Sequence, residues 1–371
     1  MISGIRKNAA GRSFRMRGDV GGPQRELRRP AGLADGRTFR PGCRSAAGTW
    51  KASFMAARLG RLFWQYPVIV LLLVLICSTA IITPAILSVG NILLVLRQFS
   101  ALGLIAIGAT FVVLCGRLDV SMGSLTSLVV VVTIALHDSF GPGLAILGAL
   151  AAAALVGAIN GFLVAYLRLS SLVTTLGMFA ALQGVANVLA INGAQFVQNP
   201  EQSWLTFIGR GYVAGIPVPV WMFALVAAGS AWVMARTNFG RAIRAVGGNE
   251  KASIYSSIDA KAIIFWSFMI CALCTCLAGL IVASRAMSAQ SDSGVGLEIL
   301  ALSAIFLGGT SLGGGVGGMG RTVVGVVVLA SVSNTLILIG APIQTQLLVS
   351  GVIIILAVWL DSISRRRSLA A

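Results

Sequence analysis

The residues able to do chemistry are few, and most lie in three short polar breaks between apolar runs. The first break is Cys115-Gly-Arg-Leu-Asp-Val-Ser-Met-Gly-Ser124. Asp119 stands there beside an apolar run. An ionisable residue in that setting faces a protein interior or a solute pathway, or else pairs with a neighbour, here Arg117. The second break, Thr237 to Asp259, is the longest between apolar runs and carries Arg241, Arg244, Glu250 and Lys251. Gly247 and Gly248 permit a sharp turn and Asn249 suits the N-cap of a helix of one or two turns. Glu250 then falls in the first turn, where negative charge favours the helix dipole. A short capped helix of this kind suits the docking of a soluble partner; a solvated loop fits the composition equally well. The third break, Gly308 to Gly320, contains Gly315, Gly317 and Gly320 in G-x-G-x-x-G order. No soluble strand or βαβ unit precedes it and no Gly-Lys-[Ser/Thr] follows. It reads as a flexible turn, and the chain is not expected to bind ATP itself.

Other chemistries are excluded by composition. Cys77, Cys115, Cys271, Cys274 and Cys276 lie within or beside apolar runs, where free cysteine behaves as a small hydrophobe. Cys271 and Cys274 match C-x-x-C, but no second pair exists to complete a zinc site. His137 is the single histidine, so a multi-histidine metal site is ruled out and no cofactor is expected. A Ser-His-Asp triad would have to use His137, which ends an apolar run beside Asp138 and reads better as a membrane-interface histidine. Polar side chains inside apolar runs are few, and those that draw attention are Asn160, Thr174, Thr175, Gln183, Asn187 and Asn334. They either join helices by hydrogen bonds or line a route for a polar solute. Beyond Asp119 and Glu298 there are almost no buried acids, which argues against a proton or sodium relay.

The elements that must position these residues are membrane spans. Of 371 residues, 57% are hydrophobic and 11% charged, and the mean hydropathy is +0.92. Soluble domains carry about a quarter charged residues, so a soluble enzyme is excluded. Runs of about 20 apolar residues cross a bilayer. Clear runs cover 67–86, 142–166, 217–235, 262–284, 321–340 and 344–360. Less clean ones cover 96–115, 121–137, 172–192 and 296–308, the last short enough to be partial or re-entrant. The expectation is an all-α membrane protein, a polytopic helical bundle of about ten spans with both termini cytoplasmic. Alternating from a cytoplasmic N-terminus places Arg58, Arg61, Arg117, Arg168, Arg236, Arg241, Arg244, Lys251, Lys261, Arg321 and Arg365 to Arg367 inside, and Arg97, Arg210 and Arg285 outside. That asymmetry is the one that orients membrane proteins, and it accounts for the net +8 of residues 55–371 without nucleic acid; the other +9 of the formal +17 falls in residues 1–54. Ala149, Ala153, Gly157 and Gly161 form a small-residue stripe suited to close helix packing. Residues 1–54, with twelve basic residues against three acids and no hydrophobic period, read as a disordered extension. Met55 opens a short basic lead to the first span and is expected to be the native start; residues 55–371 then form the permease domain.

Together these stretches resemble the permease subunits of ATP-binding-cassette importers, in the ribose- and xylose-type sugar branch, over roughly residues 67–361. Gly116-Arg-Leu-Asp-Val-Ser-Met-Gly-Ser124 resembles that family's Gly-Gly-Ile-Asp-Leu-Ser-Val-Gly-Ser motif, and Asn160-Gly161 and Thr175-Leu-Gly-Met178 resemble two further signatures. Phe239-Gly-Arg-Ala-Ile-Arg-Ala-Val-Gly-Gly-Asn249 resembles the segment that docks on the ATPase, and Glu298 with Gly308-Gly-Thr-Ser-Leu-Gly-Gly314 resembles another signature. The resemblance implies an ATPase-coupling loop of Gly240, Arg241, Arg244, Gly247, Gly248, Asn249, Glu250 and Ala252. It places Asp119, Ser121, Gly123, Ser124, Asn160, Thr175, Gln183, Asn187 and Glu298 on the translocation side. Departures fall at Ser170-Ser171, where the family often has proline, at Gln183, where it often has arginine, and at Ser257, where glycine is common. The implied partners are ATP-binding-cassette ATPase subunits, a second permease subunit, identical or related, a periplasmic solute-binding protein and membrane lipid. The implied location is the bacterial inner membrane, and the implied cargo is a sugar. A branched-chain amino acid, a nucleoside or a sugar-like signal is the alternative cargo. A secondary transporter is the alternative class; it would need broken helices with ion-coordinating groups in paired halves.

Overall fold

A computed structural model describes residues 84–192 and 196–342, with scattered positions from 344 to 355. The 1–54 extension, the expected start at Met55 and nearly all of the 67–86 run lie outside the described residues, as does most of the 344–360 run. Among the described residues, six helices are long and apolar enough to cross a membrane. They are α1 (Val89–Leu114), α2 (Met122–Ala165), α3 (Ser171–Asn192), α5 (Val218–Arg236), α8 (Ala260–Ala286) and α10 (Met319–Leu338). Shorter helices are α4 (Leu205–Arg210), α6 (Asn238–Gly248), α7 (Glu250–Tyr255) and α9 (Leu297–Leu307). A small antiparallel pair, β1 (Tyr212–Val213) and β2 (Ile216–Pro217), precedes α5.

The 44-residue α2 is a helical hairpin. Asn160 Nδ2 donates to Ser121 Oγ at 2.9 Å, although a straight helix would put these residues roughly 58 Å apart. The reversal occurs at Gly141, whose φ of 78° and ψ of 162° are not helical. Glycine adopts that backbone without steric cost, and the following Pro142 disfavours a helical residue before it. The separate 121–137 and 142–166 runs of the sequence are the two arms.

Contacts between connections define two ends of the bundle. At one, Arg117 meets Glu250, Lys261 lies over the Tyr166 ring, and Gly315 N donates to Leu114 O. At the other, His137 meets Ser203, Arg97 donates to Tyr212, and Arg210 donates to the Arg285 carbonyl. The described basic residues segregate accordingly: Arg117, Arg168, Arg236, Arg241, Arg244, Lys251, Lys261 and Arg321 belong to the first end, and Arg97, Arg210 and Arg285 to the second. The 296–308 run is short, in keeping with the partial or re-entrant segment that its length allows. Its helix α9 has 11 residues, about 16 Å, half of a hydrocarbon core. The non-helical stretch 287–296 and α9 together carry the chain from the second end to the first.

Helix α1 lies at the centre, with every residue from Ser100 to Leu114 buried. A helix apolar all round belongs in such a place. It packs against α8, α10, α5 and α9, and α8 packs in turn along α2. The small-residue stripe explains that contact. Ala149 and Ala153 are fully buried, and a Cβ on Gly157 would meet the Ala272 Cβ at 2.7 Å. By contrast α3 and α5 expose large apolar side chains, among them Val173, Ile191, Leu225 and Trp232, as lipid permits. Gly157→Leu should therefore cost about 1–3 kcal/mol through overpacking of α2 on α8. Gly229→Ala on α5, with nothing within 4 Å, should leave stability unchanged. Thermal unfolding of the two detergent-solubilised variants checks this, and equal midpoints would contradict the packing account.

Candidate functional site

The first end is built around the Thr237–Asp259 break. The Thr237 hydroxyl accepts the Gly240 N–H at 3.2 Å and starts α6 one residue beyond α5. Gly240, Ile243 and Val246 are buried along one face of α6, and Arg241 and Arg244 are exposed on the other. Arg241 also donates to the Asn238 side chain. Asn249 Oδ1 accepts the Ala252 N–H at 3.0 Å, so α7 is a capped helix of between one and two turns, as the sequence predicts, with Glu250 in its first turn. Ile254 and Tyr255 project from α7, Tyr255 being 90% exposed. Ser257, where the resembled family favours glycine, has a φ of 62°. That left-handed geometry is what glycine adopts without cost.

Three chain breaks meet beneath α7. A Cβ on Gly247 would strike the Leu114 carbonyl and approach Gly315 N to 2.6 Å. Gly315 N–H itself is spent on the Leu114 carbonyl at 2.9 Å. The G-x-G-x-x-G run is thus backbone packing between loops, not a phosphate cradle. Arg117 does not pair with Asp119. Its guanidinium reaches Glu250 at 2.6 Å, tying the break after α1 to the first turn of α7. Both side chains are partly exposed, so the pair is worth little as bulk stability and serves as a positional link.

Asp119 instead faces the protein interior, 4% exposed, and accepts the Ser121 N–H at 2.9 Å and the Ser121 hydroxyl at 2.6 Å. Burial pushes this carboxyl above its usual range and the two Ser121 donors draw it partly back. Around it, Asn160 donates to Ser121, Ser124 Oγ donates to the Ser121 carbonyl, and Thr175 Oγ1 accepts the Val120 N–H. One hydrogen-bonded cluster therefore gathers Asp119, Ser121, Ser124, Asn160 and Thr175 at the inner mouth of the hairpin. Glu298 lies one layer away, buried, with both oxygens accepting the Gly296 N–H at 3.2 and 3.1 Å. It presses on Gly123, where any Cβ would collide with its carboxylate.

Gln183 and Asn187 form a separate group on α3. Gln183 Nε2 donates to the Ser291 carbonyl at 2.7 Å and lies 3.4 Å from Asn187 Oδ1. Beside them opens a cavity of about 700 Å³ lined by Asn187, Phe196, Ser288, Gln290, Ser291 and Asp292. Except for Asn187, these residues escape sequence reasoning, because 285–295 reads there as an outer loop. The available signal is Ser288-Ala-Gln-Ser-Asp-Ser-Gly-Val-Gly296, a polar run without a turn-and-return pattern. His137 is buried at the second end, with Nε2 2.6 Å from Ser203 Oγ and Nδ1 2.8 Å from Asp138. Ser203 Oγ also accepts the Leu205 N–H, so the group staples the hairpin tip to the start of α4.

Comparison with known proteins identifies the family. Residues 91–358 match the family described as the branched-chain amino acid transport system / permease component. The ribose import permease of Escherichia coli K12 is 35% identical over 299 residues, 79% of this chain and 92% of that protein. The ribose import permease of Bacillus subtilis is 36% identical over 78% of this chain and 90% of its own length. The D-allose transport system permease of Escherichia coli K12 is 34% identical over 81% and 92%. No solved structure matches. A match over most of the chain, joined to six apolar helices and a capped helix projecting from one end, leaves one assignment: this chain belongs to the branched-chain amino acid transport system permease family and is a multi-pass inner-membrane protein.

Proposed function

We propose that the chain is the membrane-spanning subunit of an ATP-driven importer and that its cargo is a sugar delivered by a periplasmic binding protein. The observation that carries the importer reading is α7. It is a capped helical turn that presents Ile254 and Tyr255 to the outside while Glu250 and Gly247 hold it to the bundle. A soluble ATPase docking there would act on three chain breaks at once. The sugar reading rests on the relatives, which are named for ribose, allose and, in Azospirillum brasilense, L-arabinose. The family description, which names branched-chain amino acids, supports the second cargo reading.

In this proposal ATP hydrolysis belongs to separate ATPase subunits, two permeases pair, and the fold has about ten spans with both termini cytoplasmic. The segregation of eight described basic residues against three supports placing the α7 end in the cytoplasm. The coupling residues are Gly240, Arg241, Arg244, Gly247, Gly248, Asn249, Glu250 and Ala252. ATP-driven closure of the ATPases moves α7. Gly247, against Leu114 and Gly315, passes that shift to the ends of α1 and the α9–α10 break, and Arg117 passes it to the hairpin mouth at Asp119, Ser121, Gly123 and Ser124. Directionality requires that each state of the ATPase bind one permease arrangement better than the other.

Two measurements test this reading. The double variant Gly248→Trp, Glu250→Arg should retain membrane insertion and lose at least about tenfold in sugar uptake, because a docking contact worth more than about 1.4 kcal/mol is removed. Wild-type uptake by that variant would refute docking at α7. For orientation, a reporter active only in the periplasm should work when fused after Thr206 and fail after Ser256; the reverse pattern would invert the topology.

A further inference from the structure

The stretch 287–296 enters the membrane region as irregular backbone, and two contacts fix its depth. Gln183, which holds the Ser291 carbonyl, lies twelve residues beyond Ser171, about 18 Å along α3 from the inner end. Gly294 N–H donates to Ser127 Oγ at 3.0 Å, and Ser127 is five residues into α2, about 8 Å from the same end. Asp292 is held between these levels, near the middle of a hydrocarbon core of about 30 Å. It is exposed, unlike Asp119 and Glu298, and no cation among the described residues pairs with it.

A carboxylate and non-helical backbone cannot face lipid at that depth; they require protein or water. The cavity beside them meets that need. Asp292, Gln290 and Asn187 supply acceptors and donors, and Gln183 Oε1 is shielded without a hydrogen-bond partner. Phe196, 68% exposed, adds an apolar surface. We propose that this cavity, which opens from Asp292 toward the outer end of α3 at Asn187, Ile191 and Phe196, is a binding step in the outer half of the membrane for a neutral polyhydroxylated solute, with Asp292 accepting from neighbouring hydroxyls and Phe196 covering a C–H face. Sites that hold small polar ligands combine an apolar wall with a few placed polar groups in this way. The proposal rests on the importer reading and extends it to a position and a chemistry.

The test uses the full chain in lipid nanodiscs and a charged, membrane-impermeant methanethiosulfonate reagent. A lipid-facing thiol does not ionise and does not react, whereas a thiol in a water-lined path does. The Asp292→Cys variant should be labelled at least about tenfold faster than Leu225→Cys, whose parent residue is 69% exposed on α5. Equally slow labelling overturns the proposal, since the site is then covered by lipid or by another subunit. D-ribose, D-allose or L-arabinose should slow labelling of Ser291→Cys, a second cavity-lining position that leaves Asp292 in place, and L-leucine should not. Protection by L-leucine alone, or by none of the four, overturns the assigned ligand class. Labelling requires neither ATPase nor uptake. A failure here is therefore distinct from failure of the importer reading, which would show as absence of sugar uptake by the unsubstituted transporter.

Discussion

Inside a bilayer every backbone N–H and C=O must find its partner within the protein, and this structure is arranged around that requirement. Long helices satisfy it locally. What needs explanation is each place where a helix stops at depth. After α1 the Leu114 carbonyl is taken by Gly315, and after α3 the chain is received by a bridge between Phe196 and Ser288. Where 287–296 descends without helix, Ser127 and Gln183 reach across from α2 and α3 to take up its groups. Ser127 and Gln183 thus serve as partners for broken backbone, whereas Ser100, Thr110, Thr126, Thr133 and Ser267 bond the carbonyl four residues back in their own helix. Glycines at the contacts, such as Gly294 against Gly123 and Ser127, let the partners approach closely enough to bond.

Charge follows the same logic with larger stakes. The acids at membrane depth are separated by environment. Asp119 is buried under two Ser121 donors, and Glu298 is buried against Gly296 N–H. Asp292 is left to a cavity. Two of these carboxylates organise loops, and one remains free to meet something that enters. Arg117 shows how a family motif is modified. The resembled motif has glycine at that position, and here an arginine crosses to Glu250 on α7. This chain therefore adds an ionic tie to a junction that its glycines already bring into contact.

Features decided by neighbouring residues were legible in the sequence. The break between the 121–137 and 142–166 runs was legible, and the structure puts the reversal inside it at Gly141-Pro142, where φ > 0 and the restriction before proline act. Asn249 marks the α7 cap because its carboxamide reaches only its own first turn. The family followed from motif order for the same reason. Depth and distant pairing were not legible. The partner of Arg117 is 133 positions away in Glu250, so the adjacent Asp119 was an equal candidate until the fold was known. The polar run 288–296 has the composition of an exposed loop, and only its anchors on Ser127 and Gln183, contributed by other helices, draw it into the membrane. The 296–308 run met the apolarity of a span while its helix, at 11 residues, lacked the length.

The two regions of interest share supports, and that constrains any account of coupling. The α6–α7 segment bears on Leu114 and Gly315 through Gly247 at the end of α6, and on the hairpin mouth through the Glu250–Arg117 pair of α7. The same hairpin arm, a turn or so further along, holds Gly294 through Ser127, and Gly294 lies two residues from Asp292. Glu298 presses on Gly123 from the far side of that contact, so the start of α2 cannot shift without displacing either α9 or the 287–296 segment. Contiguity alone does not transmit a signal; coupling requires an element with two arrangements that both sites bias. The irregular segment is the best-suited element, because it can re-register its few hydrogen bonds at lower cost than a packed helix can break a ladder. A movement of α7 and the occupancy of the cavity would then bias the same segment, and each would change the free energy of the other by an equal amount.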